Sequence, residues 1–154
     1  MTDAQLVIDA SVLVQLYVKD AEERFAAVAD DIIRRHVGGM IELVAPQIIL
    51  YEVPSAIRRA VRRGRLDPAD AHLSIRHFFN LGLRTLGRDE TVRPMIESAF
   101  VRGSSLDCHL YDSLYLVVAE VLGYRFITAD RKLHNQVRNQ VDYVIWVEDY
   151  EFSS

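Results

Sequence analysis

"VIDAS", residues 7–11, is the stretch on which the fold turns. Leu6, Val7 and Ile8 read as a buried strand, and Asp9 puts a carboxylate where that apolar run stops. "FITAD", residues 126–130, repeats the arrangement near the other end. The stretches between alternate in the same way. Residues 20–37 read as a helix stopped by Gly38 and Gly39, and "IELVAP" (residues 41–46) as a second strand. Residues 47–63 look helical up to the stop signal Gly64, and Asp67 followed by Pro68 opens a helix reaching about Asn80. "LGLRTL" (residues 81–86) is a weaker strand, followed by a helix over residues 90–102. Asp107 is expected to cap the helix of "LYDSLYLVVAEVLG", which Gly123 ends. "RFIT", a short helix over residues 130–135 and "DYVIWV" (residues 142–147) complete the pattern. Strands alternating with helices predict a three-layer α/β/α sandwich around a mainly parallel sheet of about five strands.

The bulk properties fit one globular unit. The chain has 154 residues, half of them hydrophobic and 26% charged, so residues 1–154 are expected to form a single domain. No basic-plus-apolar leader opens it, no apolar run is long enough to span a bilayer, and the lone Cys108 cannot form an internal disulfide. The expectation is a cytoplasmic protein with no membrane partner. A net charge of −4 weighs against a general nucleic-acid binder, but "IRRAVRRGRL" (residues 57–66) concentrates Arg58, Arg59, Arg62, Arg63 and Arg65. Such a run is either a solvated helix end, where arginines suit the macrodipole, or a patch that contacts phosphate.

The acids carry the chemistry. Open parallel sheets bind ligands beyond the carboxyl ends of their strands, where strand order reverses, and Asp9 and Asp130 both stand at such ends. Asp112 lies in the first turn of its helix, where a carboxylate also suits the dipole, so a purely structural role is open to it. Glu52 sits among Ile48, Ile49, Leu50 and Val53, where an unpaired charge would be costly. Four carboxylates meeting in one cleft would repel one another, and a cation resolves the conflict. Oxygen donors with no Cys or His cluster suit the hard ions Mg²⁺ or Mn²⁺. The matching chemistry is attack of water on a phosphodiester.

With these pieces assembled, the chain resembles the PIN domain family and, within it, the VapC-type toxin ribonucleases. The resemblance rests on "VIDASVLVQLY", "YEVPSAIRRAVRRGRL", "LYDSLYLVVAEVLGYRFITADRKL" and a closing strand, taken in order over essentially the whole chain. It implies a metal-dependent endoribonuclease that leaves a 5′-phosphate and a 3′-hydroxyl. Asp9, Glu52, Asp112 and Asp130 match the family's catalytic and metal-binding acids, and Ser11 and Thr128 match the supporting hydroxyls. It further implies an RNA substrate, a homodimer and a cognate VapB-like antitoxin. Two residues depart from the family pattern. Ser55 stands where Asn is common, and Pro54 falls within the Glu52 helix, where it cannot donate to the Leu50 carbonyl. Either that helix starts later than Gln47 or it is kinked.

The five histidines, His36, His72, His77, His109 and His134, show no ligand spacing, although His109 precedes Asp112 by three residues and could touch the cleft rim. Lys132 either contacts phosphate or opposes the acids. Tyr51, Tyr111 and Tyr115 are candidates for base stacking or, more simply, for packing. A phospho-acceptor domain is disfavoured because no acceptor acid follows "LRTLG". A haloacid-dehalogenase-like phosphatase is disfavoured because Ser11 stands where the nucleophile pattern wants a second Asp. The surviving alternative to the nuclease is a non-catalytic PIN-like module that binds RNA or protein.

Overall fold

The computed structural model describes residues 4–151. Its strands are β1 (Gln5–Ile8), β2 (Glu42–Pro46), β3 (Arg84–Leu86), β4 (Arg125–Thr128) and β5 (Val144–Trp146). They form one five-stranded sheet in the order β3-β2-β1-β4-β5, and every pairing is parallel. Successive side chains of a strand point to opposite faces. Leu6, Val7 and Ile8 are all buried, so both faces of the central strand are covered. That is the three-layer α/β arrangement the sequence predicts.

The covering helices are α1 (Ala10–Leu13), α2 (Glu23–Val37), α3 (Ile49–Arg62), α4 (Pro68–Phe79), α5 (Val92–Leu106), α6 (Leu110–Leu122) and α7 (Arg131–Val137). Helix α6 buries most of its length, from Ser113 to Ala119, against β1, β2 and β4. Helix α5 lies across α6, and the two share a small second core of Ala99, Leu114 and Val117. None of the helices among the described residues is long and apolar enough to cross a membrane.

Several boundaries differ from the sequence reading. Helix α2 starts at Glu23 rather than Asp20, because Asp20 is taken up by Arg65, whose Nε donates to it at 2.8 Å. The third strand is limited to Arg84–Leu86, since Gly82 is left-handed (φ +71°) and turns the chain before it. Helix α3 begins at Ile49, two residues later than Gln47, and Pro54 still lies inside it. The residue whose carbonyl Pro54 leaves without its helical donor is then Leu50, inside the first turn.

The expectation for Asp107 is corrected. It does not cap α6; it ends α5, in the left-handed region at φ 56°, and His109 is the N-terminal cap of α6. Helix α5 runs on to Leu106, past the predicted end at Arg102. The chain must then reverse within a few residues, and a short polar Asp tolerates the left-handed conformation better than most side chains. Asp67 does cap α4 by position, with Pro68 behind it, but its carboxylate accepts from Lys19 Nζ at 2.5 Å rather than from the helix N–H groups.

Candidate functional site

The strand order makes β1 and β4 neighbours, with Ile8 opposite Ile127. The chain leaves β1 toward β2 on one side while β4 lies on the other, so order reverses at this seam. Asp9 and Asp130 both follow from it. Just beyond β1, Asp9 keeps an extended backbone and donates its N–H to the Ile127 carbonyl at 3.1 Å. Its side chain is only 8% exposed.

Two hydroxyls serve that buried carboxylate. Ser11 Oγ donates to Asp9 Oδ2 at 2.7 Å and Thr128 Oγ1 donates to the same oxygen at 2.6 Å. Each hydroxyl also accepts a main-chain N–H, Ser11 from across the seam and Thr128 from its own side. Ala129 donates to Ser11 Oγ at 2.9 Å, and Asp130 donates to Thr128 Oγ1 at 3.0 Å. Every donor therefore has an acceptor, and the network ends on an acid that can only accept while ionised. Burial raises the Asp9 pKa, the hydrogen bonds from Thr128 and Ser11 oppose that rise, and the Asp130 charge adds to it.

Asp130 caps α7, one oxygen accepting from the Leu133 N–H at 3.1 Å. Asp112, in the first turn of α6, is half-buried and its pKa is pushed up to about 6, first by burial, then by the charges of Asp9 and Asp130. The charges of His109 and Lys132 oppose the rise. Glu52, in the first turn of α3, is raised by burial and, after the opposing hydrogen bond from Tyr115, by Asp9 and Asp112; Arg59 opposes the rise. The four acids thus act on one another electrostatically although they come from four separate segments. Among the described residues, no group of three or more His, Cys, Asp or Glu side chains is drawn tightly enough to hold an ion as it stands. The donor set nonetheless fits a hard divalent cation: it is all oxygen, and its charges oppose one another in the absence of a counter-charge.

The arginines divide. Arg58, Arg59, Arg62 and Arg63 are exposed, and Arg59 is two turns from Glu52 on the same side of α3. Arg65 is half-buried and held by both oxygens of Asp20 at 2.8 and 2.9 Å, so it ties α3 to the segment before α2. Tyr51 and Tyr111 are exposed beside Glu52 and Asp112. Tyr115 is buried, and its phenol donates to Glu52 Oε1 at 2.7 Å, a partnership the sequence reading does not identify. The available signal is that Tyr115 follows Asp112 by three residues, on the same side of α6.

The PIN domain family model matches residues 6–139. A VapC ribonuclease from Mycobacterium bovis is 29% identical over 120 residues, 77% of this chain and 88% of the relative. Ribonuclease VapC3 of Pyrobaculum aerophilum is 29% identical over 131 residues, 84% of this chain and 92% of the relative. The crystal structure of PAE2754 from Pyrobaculum aerophilum superposes with a TM-score of 0.66 over 94% of this chain and 92% of that one, at 23% identity. That last likeness concerns the fold alone.

Proposed function

This chain belongs to the PIN domain family, and on that premise we propose that it is an endoribonuclease of the VapC type, the toxin of a toxin–antitoxin pair. What supports the reading is electrostatic contact among acids from four segments: burial first, then the charges of Asp9 and Asp130, raise the Asp112 pKa to about 6, and Asp9 and Asp112 add to the rise at Glu52. Those four residues would hold Mg²⁺ or Mn²⁺. When bound, such an ion activates a water molecule and neutralises charge on a phosphodiester.

The chain's own residues do the rest. Ser11 and Thr128 hold Asp9 in one orientation and favour its ionised form through two donated hydrogen bonds. Asp130 is fixed by its capping bond to Leu133, which engages one of its two carboxylate oxygens. Lys132 opposes the rise at Asp112, and an RNA phosphate drawn to the acids' cation would meet the same positive charge. Arg59, Arg62 and Arg63, exposed along α3 beyond Glu52, supply phosphate contacts that leave base identity unread.

Residues 1–154 function as one nuclease domain in this reading, in the cytoplasm, with an RNA substrate, a cognate VapB-like antitoxin and a second copy of the chain as partners. Phe100 and Val101, 68% and 69% exposed on α5, support pairing with another protein surface. The test is cleavage of a mixed RNA pool by the purified chain, freed of its partner. Cleavage should stop with EDTA, return with Mn²⁺ and leave 5′-phosphate ends. RNA binding with no cleavage at any Mg²⁺ or Mn²⁺ concentration would favour the non-catalytic binding module instead.

A further inference from the structure

Among the cleft acids, Glu52 is the one placed on the helix that is hardest to aim. Pro54 lies two residues further on and removes an N–H from the first turns of α3. The hydroxyls of the β1–β4 seam serve Asp9 and the backbone of Asp130, not Glu52. The Glu52 carboxylate is nevertheless fixed, because Tyr115 Oη donates to its Oε1 at 2.7 Å from a position 63 residues away.

Tyr115 is built into the core. It is 1% exposed, and its ring stacks on Phe126 with centroids 5.4 Å apart and planes 19° from parallel. Phe126 lies in β4 opposite Val7 of β1, so the ring is held by the two strands that deliver Asp9 and Asp130. A tyrosine buried this deeply must place its one polar atom against a partner. Glu52 Oε1 is that partner, and it takes the one polar hydrogen the phenol has to give. A bulky side chain carrying no hydroxyl would fill the same space and leave Glu52 to find its own rotamer.

We propose that Tyr115 is a positioning residue, whose buried phenol locks the Glu52 carboxylate toward the other acids and so completes the cation site. The proposal rests on the metal-dependent nuclease reading given above. It concerns an oxygen of the protein that touches neither RNA nor cation. Partners that orient ligands in this way typically contribute about tenfold or more to metal affinity or activity.

The experiment compares the full chain with Tyr115→Phe, Glu52→Gln and the double variant. Mn²⁺ affinity is read without RNA, by electron paramagnetic resonance of free Mn²⁺, and cleavage is resolved into kcat and KM. Tyr115→Phe should bind Mn²⁺ roughly tenfold more weakly and lose kcat by a similar factor, with KM for RNA unchanged. In the Glu52→Gln background the same change should add nothing, because the group it positions is already gone. Equal Mn²⁺ affinity in Tyr115→Phe and wild type, or losses that multiply in the double variant, would reduce Tyr115 to a packing residue. Glu52→Asp, which leaves the core intact but shortens the reach to the phenol, provides a second arm if Tyr115→Phe does not fold. It should lose Mn²⁺ affinity about tenfold. A Glu52→Asp chain that binds Mn²⁺ as the wild type does overturns the proposal. A wild-type chain that neither binds Mn²⁺ nor cleaves RNA overturns the nuclease reading itself, and this proposal with it.

Discussion

Thr128 donates to Asp9 at 2.6 Å across 119 positions of sequence, and the same hydroxyl accepts the N–H of Asp130 at 3.0 Å. One side chain therefore fixes two acids of the cleft. It does so at the seam where the strand order reverses, which is why a small hydroxyl there matters more than its size suggests.

Thr128→Val keeps the shape but removes both hydrogen bonds. The Asp9 carboxylate is then buried with Ser11 as its remaining hydroxyl donor, and the Asp130 N–H loses its acceptor. The expected loss is about 2–3 kcal/mol of stability at neutral pH, read from denaturant unfolding. Thr128→Ser should recover most of it, because the hydroxyl returns.

Asp112→Asn should stabilise the metal-free fold. The Asp112 carboxyl titrates at about 6 in the folded chain, against an ordinary 3.8. The folded state therefore holds the extra proton between these values, and its stability falls as pH rises through that window. Above about pH 6 the ionised group costs on the order of 1 kcal/mol after solvent screening. Loss of charge at the α6 N-terminus works against the gain, by about 0.3–1 kcal/mol. Melting curves at pH 4 and pH 7 should show wild type losing more stability than Asp112→Asn as pH rises. Mn²⁺ should then raise the wild-type Tm and scarcely move that of the variant, while cleavage falls by several orders of magnitude in the variant. A variant that melts far below wild type without metal would return Asp112 to a helix-end role.

Arg62→Ala with Arg63→Ala should weaken RNA binding and flatten its salt dependence. Two lost phosphate contacts correspond to a slope change of about 1.4 for single-stranded RNA. Arg65→Ala should behave differently, since that guanidinium is already held by Asp20 at 2.8 Å. Its removal should cost up to about 1 kcal/mol of stability and leave the salt slope alone. Filter binding across a salt series separates the two; an unchanged slope in the double variant would leave the exposed arginines as a solvated face.

Gly103→Ala should loosen the packing of α5 on α6. A Cβ at Gly103 would stand 2.5 Å from Ser113 Oγ and 3.0 Å from the Cys108 carbonyl, so the helices must part. About 1–3 kcal/mol of destabilisation is expected. Adding Ser113→Ala should restore part of it, because the nearer of the two obstacles is removed. Thermal melting of the pair measures both effects.

The acids at strand ends are legible in the sequence because an apolar run broken by a carboxylate is a local pattern, as "VIDAS" and "FITAD" show. The neighbouring of β1 and β4, which gives that pattern its meaning, depends on strand order and is supplied by the fold. Asp107 is misread because an acid ahead of an apolar run looks like a cap, while the left-handed turn that claims it depends on α5 continuing to Leu106. Tyr115 and Arg65 have partners far away in sequence, at Glu52 and Asp20, and no periodicity reports such pairings. Pro54 is legible as a disturbance, and the turn at residues 47–48 delays the helix start to Ile49 without taking Pro54 out of the helix.

The sheet order also sets a timetable. The central strand is made first and one of its flanking neighbours among the last, since Asp9 waits for Thr128 to be synthesised 119 residues later. At 5–20 residues per second, that interval is about 6–24 s on the ribosome. During it, Asp9 and Glu52 are already in the growing chain, but the seam that would gather them with Asp112 and Asp130 does not exist. A chain that cuts RNA would thereby be unarmed toward its own message until β4 has followed β1 out of the ribosome.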